Sequence, residues 1–436
     1  MFRRILIANR GEIAARILRT CQELGIETVC VYSDADTHLS YLKQAAQAIR
    51  IGEAPASKSY LNQDALLKAA EETDCEAIHP GYGFLSENAL FATRCEQQKL
   101  TFIGPKPHQI RQMGDKATAI KTMKAAGLPV LPGSSKLLES EHDALEMAKQ
   151  LGYPVLLKAT AGGGGKGMRL VHSAKELPAA YVEARTEAEK AFSNPELYLE
   201  KYIEKARHIE FQILADAYGT IIHLGERECS VQKRHQKLLE EAPAPNFPES
   251  LRNSMGQQII QALSKIGYLG AGTLEFLLDA QSNLYFMEMN TRIQVEHPVT
   301  ERVTGLDLIA WQIKIAAGEH LDIHYQGPQG HAIECRINAE APGTVTQLKS
   351  PKHSRFDSYL ETGTLVTPYY DSMLGKLISH GKTRAEAIKN LQHALGELTI
   401  EGVPTTQKLH QAIVQDKNFI KGQYSCAFFE DFTWPK

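Results

Sequence analysis

The opening RRILIANRGEIAARILRTCQELGIETVCVYS, residues 3–33, constrains the fold more than any other stretch. A short apolar run leads into a turn at Gly11, then an amphipathic stretch of helical period ending at Gly25, then a second apolar run. That is a βαβ unit, whose two strands lie parallel because the helix carries the chain back to the same edge. EAIHPGYGFLSEN, residues 76–88, adds a strand, a glycine-rich turn and a helix start near Ser86, and FIGP, residues 102–105, closes a third strand. The first region, to about residue 113, is therefore expected to be a small open parallel α/β domain. A dinucleotide-binding reading is weak, because GxGxxG is missing and the turn has a single glycine.

At 436 residues the chain is too long for one compact core, which suggests two or three domains. Its 43% hydrophobic and 23% charged residues are those of an ordinary globular protein, and a net charge of -3 supports neither nucleic acid nor a membrane surface as main partner. Cys21, Cys30, Cys75, Cys95, Cys229, Cys335 and Cys426 form no CxxC pair and no metal-ligand spacing, so reduced thiols are the simplest account. No signal-like segment opens the sequence and no stretch is apolar for the ~18 residues of a membrane span, so a cytoplasmic protein is expected.

Past residue 113 the pattern changes. DKATAIKTMKAAG, ended by Gly127 and Pro129, reads as a connecting helix over residues 114–129. Residues 130–204 form a separate α/β segment with YPVLLKATAGGGGKGMRLVHS at its centre, and residues 205–436 begin strand-rich and charged and end in smaller α/β elements.

Four stretches carry chemistry. ATAGGGGKGM lies between two strands, and consecutive glycines are kept where backbone must approach a ligand or a hinge must move. The Walker A pattern fails, since Lys166 is followed by Gly167; a hairpin closing over phosphates competes with a flexible surface hairpin. Lys158 ends an apolar strand, where a lysine needs an anionic partner such as a triphosphate, while composition alone makes Lys116 a surface helix residue. ERECSVQKRHQKLLEEAPAP, residues 226–245, crowds charges in a way that a solvated face explains as well as a site does.

YFMEMNTRIQVEHP, residues 285–298, reads as a strand whose alternation puts Glu288, Asn290, Arg292, Gln294 and Glu296 on one face. Either that face is solvated or it floors a cleft. GTLEFLLDAQSNLYFMEMN reads as a hairpin turning near Asp279 to Asn283, which sets Glu275 beside Glu288. Two neighbouring carboxylates could share a proton or pair with Arg292; with Asn290, a glycine loop and lysines, an all-oxygen Mg²⁺ site bridging phosphates is favoured. Such a cleft points to activation of an acid by phosphoryl transfer. Arg292 would offer a planar fork to a carbonate-like anion and Glu296 would act as general base.

IANRGEIA, HPGYGFLSEN, GGGGKGM, RHQKLLEEAPAP, EMNTRIQVEHPVTE and YYDSMLGKL, in this order over essentially the whole chain, resemble the biotin carboxylase component of biotin-dependent carboxylases, an ATP-grasp family. The resemblance implies a three-part architecture of mixed α/β and α+β class: the parallel N-terminal domain, a mobile lid over residues 130–204, and a C-terminal part with antiparallel sheet. It implies that ATP phosphorylates bicarbonate to carboxyphosphate, which carboxylates biotin N1 with Mg²⁺ or Mn²⁺ as metal. Lys116, Lys158, His208, Gln232, His235 and the loop Gly163, Gly164, Gly165, Lys166 and Gly167 resemble ATP contacts, and Glu200, Lys201 and Ile203 lie in the segment that resembles the adenine-holding hinge. Glu275, Glu288 and Asn290 resemble metal ligands. Lys237, Arg292, Gln294 and the Val295 backbone resemble the bicarbonate site with Glu296 as its base, and Arg336 the arginine that stabilises the biotin enolate.

TQLKSPKHSRFDSYLETGTLVTPYYDSM, before and through Tyr369, is shorter than the family pattern and lacks its glycine-rich part, a stretch the resemblance associates with subunit contacts in a homodimer. With no AMKM-type biotinylation sequence and no carboxyltransferase-like region in the chain, the expected partners are a separate biotin carboxyl carrier protein and carboxyltransferase subunits. Acetyl-CoA carboxylase in fatty-acid synthesis is the commonest such assembly, with pyruvate or propionyl-CoA carboxylases as alternatives. Another acyl-phosphate-forming ATP-grasp ligase, or a nucleotide-binding regulatory subunit, would share the ATP cleft without the biotin step.

Overall fold

The computed structural model describes residues 1–133, 136–160, 167–234 and 236–434, so Gly163, Gly164, Gly165, Lys166 and His235 lie outside the described residues. The N-terminal strands β1 (Arg4–Ile7), β2 (Glu27–Ser33), β3 (Gln47–Gly52), β4 (Ala77–His79) and β5 (Thr101–Phe102) form a parallel sheet in the order β3-β2-β1-β4-β5. Central β1 is apolar on both faces: Ile5 and Ile7 feed one core and Leu6 the other, as expected of a strand covered on both sides. Helix α1 (Gly11–Glu23) packs Ile13, Ala14, Ile17 and Cys21 into the first core at helical spacing; α2 (Gln63–Glu72) and α3 (Ala89–Gln97) pack against the second. The helix expected near Ser86 is capped by Asn88, whose side chain accepts from the Phe91 amide.

Strand order reverses direction between β1 and β4, and open α/β sheets take ligands at such a crevice, beyond the carboxyl ends of the strands. Two segments meet there, Asn9–Ile13 and Pro80–Phe84. Asn9 Nδ2 fastens them by donating to the Pro80 and Tyr82 carbonyls, each at 2.7 Å. A Cβ on Gly81 would come within 3.0 Å of Asn9 Nδ2, and its φ of +62° also favours glycine.

Helix α4 (Pro107–Gly114) leads to α5 (Lys116–Ala126), which is N-capped by Asp115 and closed by left-handed Gly127, as its sequence predicts. A small unit follows: α6 (Glu141–Leu151), β6 (Val155–Ala159), β7 (Met168–Val171), α7 (Leu177–Phe192) and β8 (Leu197–Lys201), with antiparallel order β7-β6-β8 and its own apolar core.

The largest sheet is antiparallel: β9 (Arg207–Ala215), β10 (Ile221–Lys233), β11 (Gln236–Ala242), β12 (Gly270–Leu278), β13 (Leu284–Asn290), β14 (His331–Asn338), β17 (Arg355–Ser358) and β19 (Met373–Gly381), ordered β13-β12-β9-β10-β11-β14-β19-β17. The short pair β15 (Gly343–Thr344) and β18 (Leu365–Val366) and strand β16 (Gln347–Lys349) lie in the shortened segment. Ile209, Phe211, Leu274, Phe276 and Phe286 on one face of the sheet pack against α5 and α8 (Glu249–Ile266). Beyond them α9 (His297–Thr304), α10 (Leu308–Ala316) and α11 (Arg384–Glu397) cover the remaining apolar surface. The opposite face is charged, and that is where the chemistry lies.

Candidate functional site

Antiparallel register aligns Glu288, Glu275, Glu210 and Arg227 in one row across β13, β12, β9 and β10. Directly opposed carboxylates repel, so such a row persists only with cations against it. Lys237, from β11, supplies one. Its ammonium contacts Glu210 at 2.6 Å, Glu275 at 3.0 Å and Glu296 at 2.8 Å. Arg227, fully buried, donates to Glu210 and reaches Gln212, Thr273 and Thr300 with its remaining N–H groups. His208 Nε2 lies 3.0 Å from Glu275 and Gln232 bonds its other ring nitrogen at 3.0 Å. Lys116 is 3.1 Å from Glu288.

A cleft of about 690 Å³ opens over this row. Of the residues singled out in the sequence, Lys116, Lys158, His208, Gln232, Lys237, Glu275, Glu288, Asn290, Arg292, Gln294, Val295 and Arg336 line it. Glu296 lies just behind the wall, fully buried, bound by Lys237 and by Arg336 Nη2 at 3.0 Å. Lys158 pairs with Glu200, the anionic partner its position demands. Lys201 and Ile203 do not line the cleft; the Lys201 ammonium donates to the Gly152 and Tyr153 carbonyls.

The strand expected to run through residue 298 ends at Asn290. Residues 291–296 form a loop, and α9 starts at His297 with Pro298 in its first turn, where a missing N–H costs nothing. Arg292, Gln294 and Glu296 are therefore brought to the site by loop geometry rather than strand alternation. Glu87 of the N-terminal domain fixes that loop, accepting from the Thr291 amide at 3.0 Å and Arg292 Nε at 2.8 Å. Arg292 also donates to Asn290 Oδ1 and Gln294 Oε1. In cluster 226–245, Glu226 and Glu228 pair with Arg252 and Arg207, away from the cleft, while Arg227 and Cys229 face the site.

Burial opposes ionisation of Glu296, but Lys237, then Arg336 and Arg227, outweigh it and hold the carboxyl well below the usual range. Glu275 is likewise lowered, with Lys237 and His208 overcoming burial. Glu240 behaves oppositely: burial dominates and, despite the Arg336 Nε contact at 2.6 Å, its carboxyl is pushed up to about 7. Glu275 and Glu288 present hard oxygen donors on adjacent strands, a set that fits Mg²⁺ or Mn²⁺. Asn290 donates to Glu275 through Nδ2 and gives its oxygen to Arg292, so it orients both neighbours; its oxygen would join the carboxylates only with the amide turned over.

Sequence reasoning missed Glu210, Arg227, Glu87, Tyr82 and the Tyr370–Met373 wall of the cleft. HPGYGFLSEN and YYDSM carry six of these positions, Tyr82, Glu87 and Tyr370 to Met373, so their glycine-rich and aromatic character was the available signal. Arg227 had only the charge crowding of residues 226–245 and Glu210 had none, since partners on adjacent strands are invisible before register is known.

Two carboxylate-bearing strands, a lysine-bearing hairpin unit and a parallel domain closing one cleft define the ATP-grasp class of ligase. The biotin carboxylase N-terminal domain model matches residues 1–110, the carbamoyl-phosphate synthase L chain ATP-binding domain model residues 115–324, and the biotin carboxylase C-terminal domain model residues 334–431. A biotin carboxylase of Nostoc sp. is 53% identical over 99% of both chains, and biotin carboxylase 1 of Bacillus subtilis is 48% identical with the same coverage. The Campylobacter jejuni biotin carboxylase in a β-γ-ATP complex superposes with TM-score 0.94 at 46% identity over 99% of both chains. The biotin carboxylase domain dimer of Hydrogenobacter thermophilus 2-oxoglutarate carboxylase, in complex with MgADP, ADP and bicarbonate, does so with TM-score 0.94 at 46% identity over the full length of both chains. The chain belongs to the biotin carboxylase family, and it is an ATP-grasp ligase of that kind.

Proposed function

We propose that this chain carboxylates biotin borne on a separate carrier protein, using ATP and bicarbonate by way of carboxyphosphate, as the first half-reaction of an acetyl-CoA carboxylase. One observation carries the reading. Cations for a polyphosphate, Lys116 and Lys158, share a single cleft with Arg292 and with Lys237 and Arg336, the last two both bound to buried Glu296.

Lys116, Lys158, His208 and Gln232 bind the nucleotide within the cleft, and residues 200–203, which follow the lining residue Tyr198 but do not themselves line the cleft, hold the adenine at its edge. Glu275 and Glu288, with Asn290 if its amide turns over, would hold Mg²⁺ or Mn²⁺, which when bound would supply positive charge for phosphate oxygens. Lys237, Arg292, Gln294 and the Val295 backbone receive bicarbonate. Glu296 is ionised but made a weak base by Lys237; an arriving anion competes for that ammonium, which raises the basicity of Glu296 as it takes the bicarbonate proton. Arg336, also bound to Glu296 and Glu240, stabilises the biotin enolate. Residues 1–113, 114–129, 130–204 and 205–436 act as N-terminal domain, connector, mobile lid and catalytic body. Among the described residues no helix is long and apolar enough to cross a membrane, which accords with a cytoplasmic enzyme. A homodimer accords with the dimeric Hydrogenobacter thermophilus domain, and sedimentation velocity tests it, a single monomer peak at micromolar protein counting against it.

The deciding experiment is ADP release from Mg²⁺-ATP and bicarbonate, with and without free biotin. Strong stimulation by biotin that vanishes without bicarbonate is expected. ATP cleavage indifferent to biotin would reassign the chain to another acyl-phosphate-forming ligase.

A further inference from the structure

Lys376, in the middle of β19, is 0% exposed, and a lysine is retained at such a place only where fixed partners replace its water. Its ammonium donates to the Val295 carbonyl at 2.9 Å and lies 3.2 Å from Glu12 Oε1, in the first turn of α1. The same Glu12 oxygen accepts from the Tyr82 hydroxyl. Val295 and Tyr82 both line the cleft, the first in the anion loop and the second at the crevice of the parallel sheet. The register of β14 and β19 sets Lys376 directly opposite Arg336, on the same face.

Glu334 shares that face and is fully buried, with neither carboxyl oxygen hydrogen-bonded. Burial pushes both the Glu334 and the Glu12 carboxyls up, and it is Glu12 that lies within ion-pair distance of the ammonium. As a brace alone such a pair gives little, because a buried ion pair adds about as much stability as an apolar isostere of its volume. An isostere, however, could not hold a carbonyl. Fixing the Val295 oxygen fixes the plane of the Val295–Glu296 peptide and with it the entry into the base residue.

We propose that Lys376 is a positioning residue for the carboxylation: one buried ammonium sets two walls of the cleft together, the bicarbonate loop through Val295 and, through Glu12, the Tyr82 wall, which lines the same cleft as Arg336, the residue assigned to biotin. This rests on the function proposed above. The reacting atoms are not touched by Lys376, so its loss displaces two substrate walls while leaving the nucleotide contacts, on α5, β6, β9 and β10 and in residues 200–203, in place.

Steady-state ADP formation by Lys376→Met, Lys376→Arg and Glu12→Gln, titrating bicarbonate and free biotin at saturating Mg²⁺-ATP, tests this beside ADP affinity measured by calorimetry. For Lys376→Met, KM for both bicarbonate and biotin should rise at least tenfold while ADP affinity stays within twofold; Lys376→Arg should recover most of the loss, and Glu12→Gln should move both KM values by a smaller factor in the same direction. Should Lys376→Met not fold, Lys376→Arg and Glu12→Gln decide alone. Both KM values within twofold of wild type in Glu12→Gln, or a rise in only one of them, overturns the coupling. A wild-type enzyme indifferent to biotin would instead sink the functional reading, a separate outcome visible in the control.

Discussion

In the three-stranded sheet Lys158 meets one carboxylate, Glu200, and stays 22% exposed; in the eight-stranded sheet Lys237 meets three and is 13% exposed. A one-to-one pair can exchange partners, because Lys158 lines the cleft and has a single carboxylate to trade for an incoming phosphate, although Glu200 behind it is only 4% exposed. Three carboxylates on one ammonium cannot be separated so cheaply, since Glu210, Glu275 and Glu296 are all buried and each would lose a cationic partner at once, with only Arg227, His208 and Arg336 left between them. The small sheet is thus suited to capturing a ligand and the large one to holding an electrostatic geometry in place before any ligand arrives. Preorganisation of that kind is what stabilises charge developing in a transition state.

Breaking the large-sheet cluster should cost most. Lys237→Met leaves Glu210, Glu275 and Glu296 without their shared cation, and it should lower bicarbonate-dependent ADP formation at least ~1,000-fold and stability by about 3–5 kcal/mol, read by steady-state assay and urea unfolding. Next, Glu296→Ala should reduce bicarbonate-dependent ATP cleavage by about 100-fold or more with ATP binding nearly intact; unchanged turnover would remove Glu296 from the base role. On the small sheet the effect should appear in affinity instead: Lys158→Met should raise KM for ATP by roughly 10- to 100-fold, the worth of one charged hydrogen bond, with a smaller change in kcat.

Acid should probe the body of the large sheet. His410 is fully buried, its Nε2 2.7 Å from the Arg336 carbonyl, and burial holds its imidazole down at about 4 against 6.5 in an unfolded chain. The unfolded chain takes up that proton first, so stability present above pH 6.5 is lost as pH falls towards 4, by about 2–3 kcal/mol for this group. Urea midpoints of His410→Gln should fall less steeply than wild type across that window. Smallest of all, Lys58→Ala removes a pair with Glu53 in which both side chains are more than half exposed, and Tm should shift by less than about 2 °C.

How much of this is legible in the sequence follows from the range of each contact. The parallel domain is readable from residues 3–33 because a βαβ unit is encoded within one short window. Glu275 meets Glu288 as expected because period two and a turn at Asp279 to Asn283 fix a hairpin register locally. Arg292, Gln294 and Glu296 reach the cleft for a reason that alternation does not contain: Glu87, some 200 positions earlier, draws the loop after Asn290. Arg227 falls on the side of its strand opposite Glu226 and Glu228, as period two requires, but which side faces the site depends on packing and on the irregular register near His223. The roles of Lys376 and Glu12 are hidden for the same reason, being settled only where β19 and α1 meet.

The path of the chain into and out of the small unit is unusually short. On entry, the Pro129 carbonyl accepts from the Phe286 amide of the large sheet at 2.8 Å, and the Pro132 carbonyl accepts from the Lys201 amide of the small sheet at 3.0 Å. Three residues on, the chain has changed allegiance. On exit, Lys201 is still bonded to the small sheet while the Ala206 carbonyl, accepting from Cys426, already belongs to the body. Two strands of backbone, each anchored within a few residues on either side, would act as a pair of hinge pins for the lid movement proposed above, favouring a swing about the line joining them over sliding or twisting. A base that lodges against residues 200–203 would therefore sit at the axle, where it can fix the angle of the small unit with little displacement of its own.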